Sequence, residues 1–381
     1  MAGSHAFQMT FDLGTQDVLA SVPTLAVTVR FGPYPVHVEF PVARGLTRVP
    51  VVLDLSEGDA LVGRVRVAHF SPVPRFTENL RVSVAATLGA EGTPLAGARG
   101  WATILLPTVI VPGYLNEVGG PDEDALGTLR RRGYATRGPY PTLFWFSYPS
   151  RRVTLPDGAR RLRTFVKERV LPATYAGAIN AVGYSSGGLF LRWNIQHDLD
   201  GWGSLVTRLV LVGVPNEGAV IAYLGAHTPA LFALGGLGHT SLARAMFPTF
   251  PFWRPGPHAP WQTPADAANP LLDELNVLPL PDRVRVYVFY GSHDPGNPAG
   301  PLTIAGITGS PTTGELTYGP GDGIVLADSA RGLPVHGSAG VPGLTRRIVE
   351  SVDLGSVYHL HLLAAGAERI ADVLLDKFEE P

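Results

Sequence analysis

Two grammars of apolar and polar positions divide the chain. Between residue 6 and about residue 100, short runs alternate apolar and polar side chains with period two: Thr24–Arg30, Val36–Phe40, Val49–Leu53, Leu61–Val67 and Leu80–Ala85. Turn-forming residues separate the runs at roughly ten-residue intervals. A period of two puts one set of side chains on a core face and the other in solvent. The pattern therefore predicts an antiparallel, β-sandwich-like N-terminal domain over residues 1–103. Its histidines, His37 and His69, stand alone without a carboxylate pair, so a packing or substrate-presenting module is expected there.

From about residue 104 the grammar changes. Thr108–Val111, Thr142–Phe146, Ala178–Tyr184, Arg208–Gly213 and Arg283–Tyr290 are apolar almost throughout, as strands covered on both faces are. Helical spacing intervenes. Leu162, Phe165, Val166 and Val170 share one face of a helix predicted over Gly158–Val170, a second helix is predicted from Ser186 to about His197, and a third over Leu362–Phe378. Alternating strands and helices predict an α/β domain over residues 104–381, a mostly parallel sheet flanked by helices.

One stretch, Gly218–Ala243, carries no Asp, Glu, Lys or Arg before its end and is long enough to cross a bilayer. Pro229, His227, His239 and a Gly-Gly pair argue against a span. With Phe247, Phe250, Phe252, Trp253 and Trp261 following, the segment from about 218 to 265 is expected to form an apolar cap or lid.

Composition narrows the chemistry. The 381 residues are 45% hydrophobic and 16% charged, which suits a large core. The net charge of −2 and the absence of any basic block speak against nucleic acid as a partner. There is no cysteine, so disulfides, thiolate nucleophiles and Cys-based zinc sites are excluded. No ligand cluster for a metal stands out, and no cofactor is implied. No signal peptide is visible; a secreted protein whose signal is missing from this chain is the expectation, with a cytoplasmic one also open.

The most informative motif is Gly183-Tyr-Ser-Ser-Gly187, which matches G-x-S-x-G. It follows an apolar strand and opens a helix, the context in which such a serine is held on a sharp turn as a nucleophile. A serine hydroxyl needs a base, and the base needs an orienting acid. In this strand-turn-helix setting the acid and then the base follow the serine along the chain. Of the eleven histidines, His359 lies just before the last helix and is preferred over His361 and His336. For the acid, Asp294 follows the strand ending at Tyr290, and Asp322 lies on a glycine-rich loop. The residues themselves leave these two open. An oxyanion needs two backbone N–H donors. Ser186, after the nucleophile, and Tyr114, on the loop after Thr108–Val111, are the candidates.

Several segments in order resemble the triacylglycerol lipase and lecithin–cholesterol acyltransferase group of α/β hydrolases. Val109–Gly113 resembles that group's oxyanion loop, Ala181–Arg192 its elbow and following helix, and Leu211–Gly218 its strand and Pro-x-x-Gly segment. Leu271–Asn276 is similar to its next short helix, and Gly321–Val325, with Ser329 beyond, to its acid-bearing loop. The resemblance covers about residues 105–376. It implies an α/β-hydrolase fold with Ser185 as nucleophile, Asp322 as acid, His359 as base and the amides of Tyr114 and Ser186 as oxyanion donors. Tyr184 and Ser186 depart from the residues usual around that group's nucleophile, and Pro-Gly-Tyr replaces its usual His-Gly-aromatic loop.

The expected activity is hydrolysis of lipid-like or other apolar carboxylic esters through an acyl-enzyme. A small-molecule or lipid ester is the expected partner, with transient contact at a lipid interface. Acyl transfer to an alcohol, or a non-catalytic lipid- or partner-binding module, are the alternatives on the same scaffold.

Overall fold

A computed structural model describes residues 6–12, 24–31, 34–41, 48–54, 60–62, 65–67, 77–88, 93–114, 121–137, 141–174, 176–219, 241–246, 269–293, 320–335 and 338–375. For the strands before residue 103 the description is of the backbone. The chain divides into two compact units. One comprises Met1–Pro107 with Tyr134–Thr142 and Lys167–Ala178; the other comprises Thr108–Gly133, Leu143–Val166 and Ile179–Pro381.

The first unit contains eight described strands: β1 (Ala6–Asp12), β2 (Thr24–Phe31), β3 (Tyr34–Pro41), β4 (Arg48–Asp54), β5 (Ala60–Val62), β6 (Val65–Val67), β7 (Leu80–Leu88) and β8 (Thr93–Ile104). They form two four-stranded antiparallel sheets, β1-β4-β5-β6 and β3-β2-β7-β8. The run Leu61–Val67, expected as one strand, is instead a tight reversal in which Leu61 faces Arg66 across β5 and β6. Alternation alone cannot reveal it, because a reversal across an even number of residues preserves the period. How the two sheets stack lies outside the described side chains.

The second unit is built on a parallel sheet of β9 (Thr108–Val111), β10 (Leu143–Trp145), β11 (Ile179–Tyr184), β12 (Val206–Val212), β13 (Arg285–Tyr290) and β14 (Ile348–Asp353), in the order β10-β9-β11-β12-β13-β14. The central strands β9, β11 and β12 are buried almost throughout, which explains their continuous apolar sequences. Edge strand β14 alternates half-buried and exposed positions, so it carries no apolar run for sequence reading to find. From β9 the connections run outward to β10 on one side and, after one return, through β11 to β14 on the other. The winding therefore changes direction between β9 and β11. In open parallel sheets the crevice beyond the carboxyl ends of the strands at such a point is where ligands bind.

The helices that matter for the site are α1 (Glu123–Arg131), α2 (Leu155–Phe165), α3 (Ser186–Gln196), α4 (Pro270–Val277), α5 (Ala327–Arg331) and α6 (Leu362–Leu375). Helix α2 starts three residues before the periodicity suggested. Thr154 caps it, its hydroxyl accepting from the amide of Asp157 at 3.1 Å, and Pro156 fits the first turn. The helix gives way to a π-helical turn at Val166–Val170.

Helix α3 is buried on every side. Its polar residues must therefore find partners inside the protein. The guanidinium of Arg192 donates to Oε1 of Gln196 at 3.0 Å, Oδ1 of Asn216 at 2.8 Å, Oδ1 of Asn276 at 2.9 Å and the carbonyl of Leu275 at 3.3 Å. Burial pulls the Arg192 pKa below the usual guanidinium range, and the buried Glu217 carboxylate opposes that shift. The network continues outward. Asn216 donates to the carbonyl of Ala330 at 2.7 Å, and Ser329 Oγ accepts from the amide of Glu217 and donates to the carbonyl of Gly218. One buried cation thus ties the helix after β11 to the loop after β12, to α4 and to α5. Arg192→Ala leaves several acceptors without their donor and removes the positive charge that acts on the buried Glu217 carboxylate. Its expected cost is about 3–5 kcal/mol, measured as a lowered urea midpoint relative to the unsubstituted protein.

Candidate active site

Ser185 lies between the end of β11 and the start of α3, with φ 53° and ψ −130°. A positive φ is costly for a residue with a Cβ and persists only where the surroundings enforce it. Here the Ser185 amide donates to the carbonyl of Val212 at 2.9 Å, and the Gly188 amide donates to the carbonyl of Ser185 at 3.0 Å. The turn also needs strand and helix to approach closely. A Cβ on Gly183 would lie 2.4 Å from Cα of Gly188, so a side chain there would force β11 and α3 apart. A Cβ on Gly113 would lie 2.7 Å from Cβ of Ser185, which puts the loop after β9 directly against the serine.

His359 and Asp322 meet Ser185 at this edge of the sheet. Nε2 of His359 is 2.9 Å from Oγ of Ser185, and Nδ1 of His359 is 2.7 Å from Oδ2 of Asp322. All three residues are buried. The carboxylate is held in turn: its Oδ1 accepts from the amides of Ile324 at 2.9 Å and Val325 at 2.7 Å, a turn that needs Gly323 at φ +87°. With both oxygens committed, Asp322 can present Oδ2 to the imidazole and little else.

The backbone of His359 is fixed as firmly as its ring. Its amide donates to the carbonyl of Asp322 at 2.9 Å, and its carbonyl accepts from the hydroxyl of Tyr184 at 2.7 Å. The Tyr184 ring also lies against the imidazole, with centroids 5.2 Å apart. Burial raises the Tyr184 phenol well above its ordinary pKa, and the Asp322 and then the Asp122 carboxylates add to the shift. Tyr184 therefore stays neutral, and its hydroxyl stays a donor, across the range in which an enzyme works.

His361 is exposed at the start of the last helix. Asp294, His336 and most of the expected cap at 218–265 lie outside the described residues. Ser186 is fully buried at the first position of α3, and Tyr114 is half-buried at the end of the described loop. Among the described residues no group of three His, Asp or Glu could hold a metal, and no helix is long and apolar enough to cross a membrane. Sequence reasoning marked Tyr184 as a departure from the lipase pattern but missed its hold on His359. It missed Tyr148, taken up below, altogether; nothing local to that residue marks it.

A sheet wound in two directions from β9, a serine on a sharp strand-to-helix turn, and later loops bringing a carboxylate and an imidazole to it together decide the architecture. The second unit has the α/β-hydrolase fold. No protein-family model matches the sequence, and no curated protein does. Among solved structures it is similar to a Bacillus licheniformis lipase in its mature form, at 16% identity and TM-score 0.46, over 71% of this chain and 91% of that one. It is also similar to an esterase from Pyrobaculum calidifontis, at 15% identity and TM-score 0.39, over 80% and 86%. A third likeness is to the phospholipase PlaB of Legionella pneumophila, at 15% identity and TM-score 0.40, over 59% and 45%. These remote likenesses carry no information on what the chain acts on.

Tyr184→Phe keeps the ring against His359 and removes the hydrogen bond to its carbonyl. The expected outcome, measured on any ester the protein turns over, is a drop in kcat of roughly tenfold with KM nearly unchanged, because a base displaced by a fraction of an ångström binds nothing less but reacts more slowly.

Proposed function

We propose that the protein is a serine carboxylester hydrolase in which Ser185 is the nucleophile, His359 the general base and Asp322 the orienting acid. The observation that carries this reading is the continuous path from Oγ of Ser185 through the two ring nitrogens of His359 to Oδ2 of Asp322, at 2.9 and 2.7 Å. The buried carboxylate favours the tautomer with a proton on Nδ1, which leaves Nε2 to accept the serine proton.

The reaction then runs in two halves. His359 takes the proton from Ser185 as Oγ attacks the ester carbonyl. The amides of Tyr114 and Ser186 receive the oxyanion, the N-terminus of α3 adding its positive dipole end. The protonated imidazole gives its proton to the departing alcohol. Water, deprotonated by His359, attacks the acyl-enzyme; as the bond to Ser185 breaks, the imidazolium returns its proton to Oγ and the carboxylic acid leaves. Asp322 stabilises the imidazolium in both halves.

An apolar acyl group is the proposed substrate feature. Its support is the composition of the segment from 218 to 265, with no acidic residue before Pro264 and five large aromatics between Phe247 and Trp261. A secreted enzyme working on lipid-like esters, with transient contact at a lipid interface, is consistent with that composition.

Hydrolysis of p-nitrophenyl esters of graded chain length tests the proposal. The unsubstituted protein should release p-nitrophenol with a preference for apolar acyl chains, and Ser185→Ala should lower kcat by roughly 10⁴-fold or more. For the acid, Asp322→Asn should lower kcat roughly 10³- to 10⁴-fold, while Asp294→Asn leaves it within a few-fold. The reverse pattern assigns the acid to Asp294.

A further inference from the structure

The hydroxyl of Tyr148, on the loop after β10, sits between the two segments proposed to hold the oxyanion. It lies 3.0 Å from the carbonyl oxygen of Pro112, 3.0 Å from that of Gly113 and 3.2 Å from Oγ of Ser186. A phenol has one proton. Shared between the two carbonyls, that proton leaves the phenolic oxygen to accept from the hydroxyl of Ser186. A single chain of hydrogen bonds thus runs from the first residue of α3 to the loop after β9. The ring is locked where it stands, stacked on Phe146 at 5.5 Å and edge-on to Phe190 at 4.8 Å. Tyr148 and Ser186 are both buried.

The consequence follows from the planarity of the peptide unit. The carbonyl of Gly113 and the amide of Tyr114 belong to one rigid trans peptide and point in opposite directions. Whatever fixes the carbonyl fixes the N–H. The same holds for the carbonyl of Pro112 and the amide of Gly113. The Pro112 ring fixes its own φ, but Gly113 has no side chain to anchor it and must lack one to fit against Ser185; the Tyr148 hydroxyl gives the Gly113–Tyr114 peptide a side-chain hold.

We propose that Tyr148 is a positioning residue for the oxyanion site: its hydroxyl, relayed to Ser186, sets the direction of the Tyr114 amide relative to the nucleophile. The inference rests on the ester-hydrolase reading above and deepens it. It also gives a physical role to the serine at position 186. A hydroxyl there completes the chain to Tyr148.

Tyr148→Phe keeps the ring packing and removes the hydroxyl. Deleting one oxyanion donor costs about 10²- to 10³-fold in rate, and leaving a donor in place but misdirected costs less, roughly 10- to 100-fold. The expected result is that loss in kcat, with KM within about twofold and the ascending limb of the pH–rate profile unmoved, because His359 is untouched. Affinity for a butylboronic acid, whose tetrahedral adduct with Ser185 needs the same donors, should weaken by a similar factor. Ser186→Ala should show part of the loss, and Tyr148→Phe combined with Ser186→Ala no more than Tyr148→Phe alone, since both act through one chain. Thermal unfolding of each variant separates loss of fold from loss of aim. If Tyr148→Phe is folded and keeps both kcat and boronate affinity within twofold, the positioning role is wrong while the hydrolase reading stands. If the unsubstituted protein turns over no ester and binds no boronate, the hydrolase reading fails and this inference goes with it.

Discussion

A serine hydroxyl is a poor nucleophile, and the organisation of the second unit centres on the hydrogen bond between Oγ of Ser185 and Nε2 of His359. That contact joins residues 174 positions apart in the chain. It requires a strained serine at the end of one central strand and a histidine delivered by the loop beyond the last. The strain at Ser185 is held by the backbone on both sides of it. The histidine is held at four points: Nε2 by Ser185, Nδ1 and the amide by Asp322, and the carbonyl by Tyr184. An imidazole so constrained loses little entropy on reaching reactive geometry, which is where much of an enzyme's advantage over water lies.

The supports beneath this contact are polar and buried. Arg192 sits within α3, seven residues after Ser185, and reaches two other segments, the loop after β12 and α4, through amide side chains and a carbonyl. Through Asn216 and Ser329 the same network reaches α5, which directly follows the loop carrying Asp322. Helix α3 and the loop carrying Asp322 are therefore joined both across the site and beneath it. Tyr148 plays a comparable part on the other side, between α3 and the loop after β9.

Much of this was legible in the sequence where chemistry and local structure coincide. Gly183-Tyr-Ser-Ser-Gly187 marks the sharp strand-to-helix turn that holds Ser185, and the apolar strands on either side mark a parallel sheet. The choice between Asp294 and Asp322 was not legible from the residues, because both follow β13 in loops rich in turn formers; the resemblance to lipases pointed to Asp322, and Asp322 is the carboxylate found beside His359. Strand β14 escaped because its alternation at the sheet edge lacks an apolar run, and the reversal from β5 to β6 because antiparallel neighbours this close keep the alternation in phase. Arg192 and Tyr148 were invisible for a different reason. Helix α3 is buried all round, so no periodicity sets its polar residues apart, and the partners of Tyr148 lie 35 to 38 positions away in the chain.

Covalent labelling with a fluorophosphonate, followed by peptide mass spectrometry, tests most directly whether the buried hydroxyl is activated by the imidazole beside it. A single stoichiometric adduct on Ser185, absent after His359→Ala, is the predicted result. Labelling of a different serine, or labelling of Ser185 at the same rate without His359, contradicts the account.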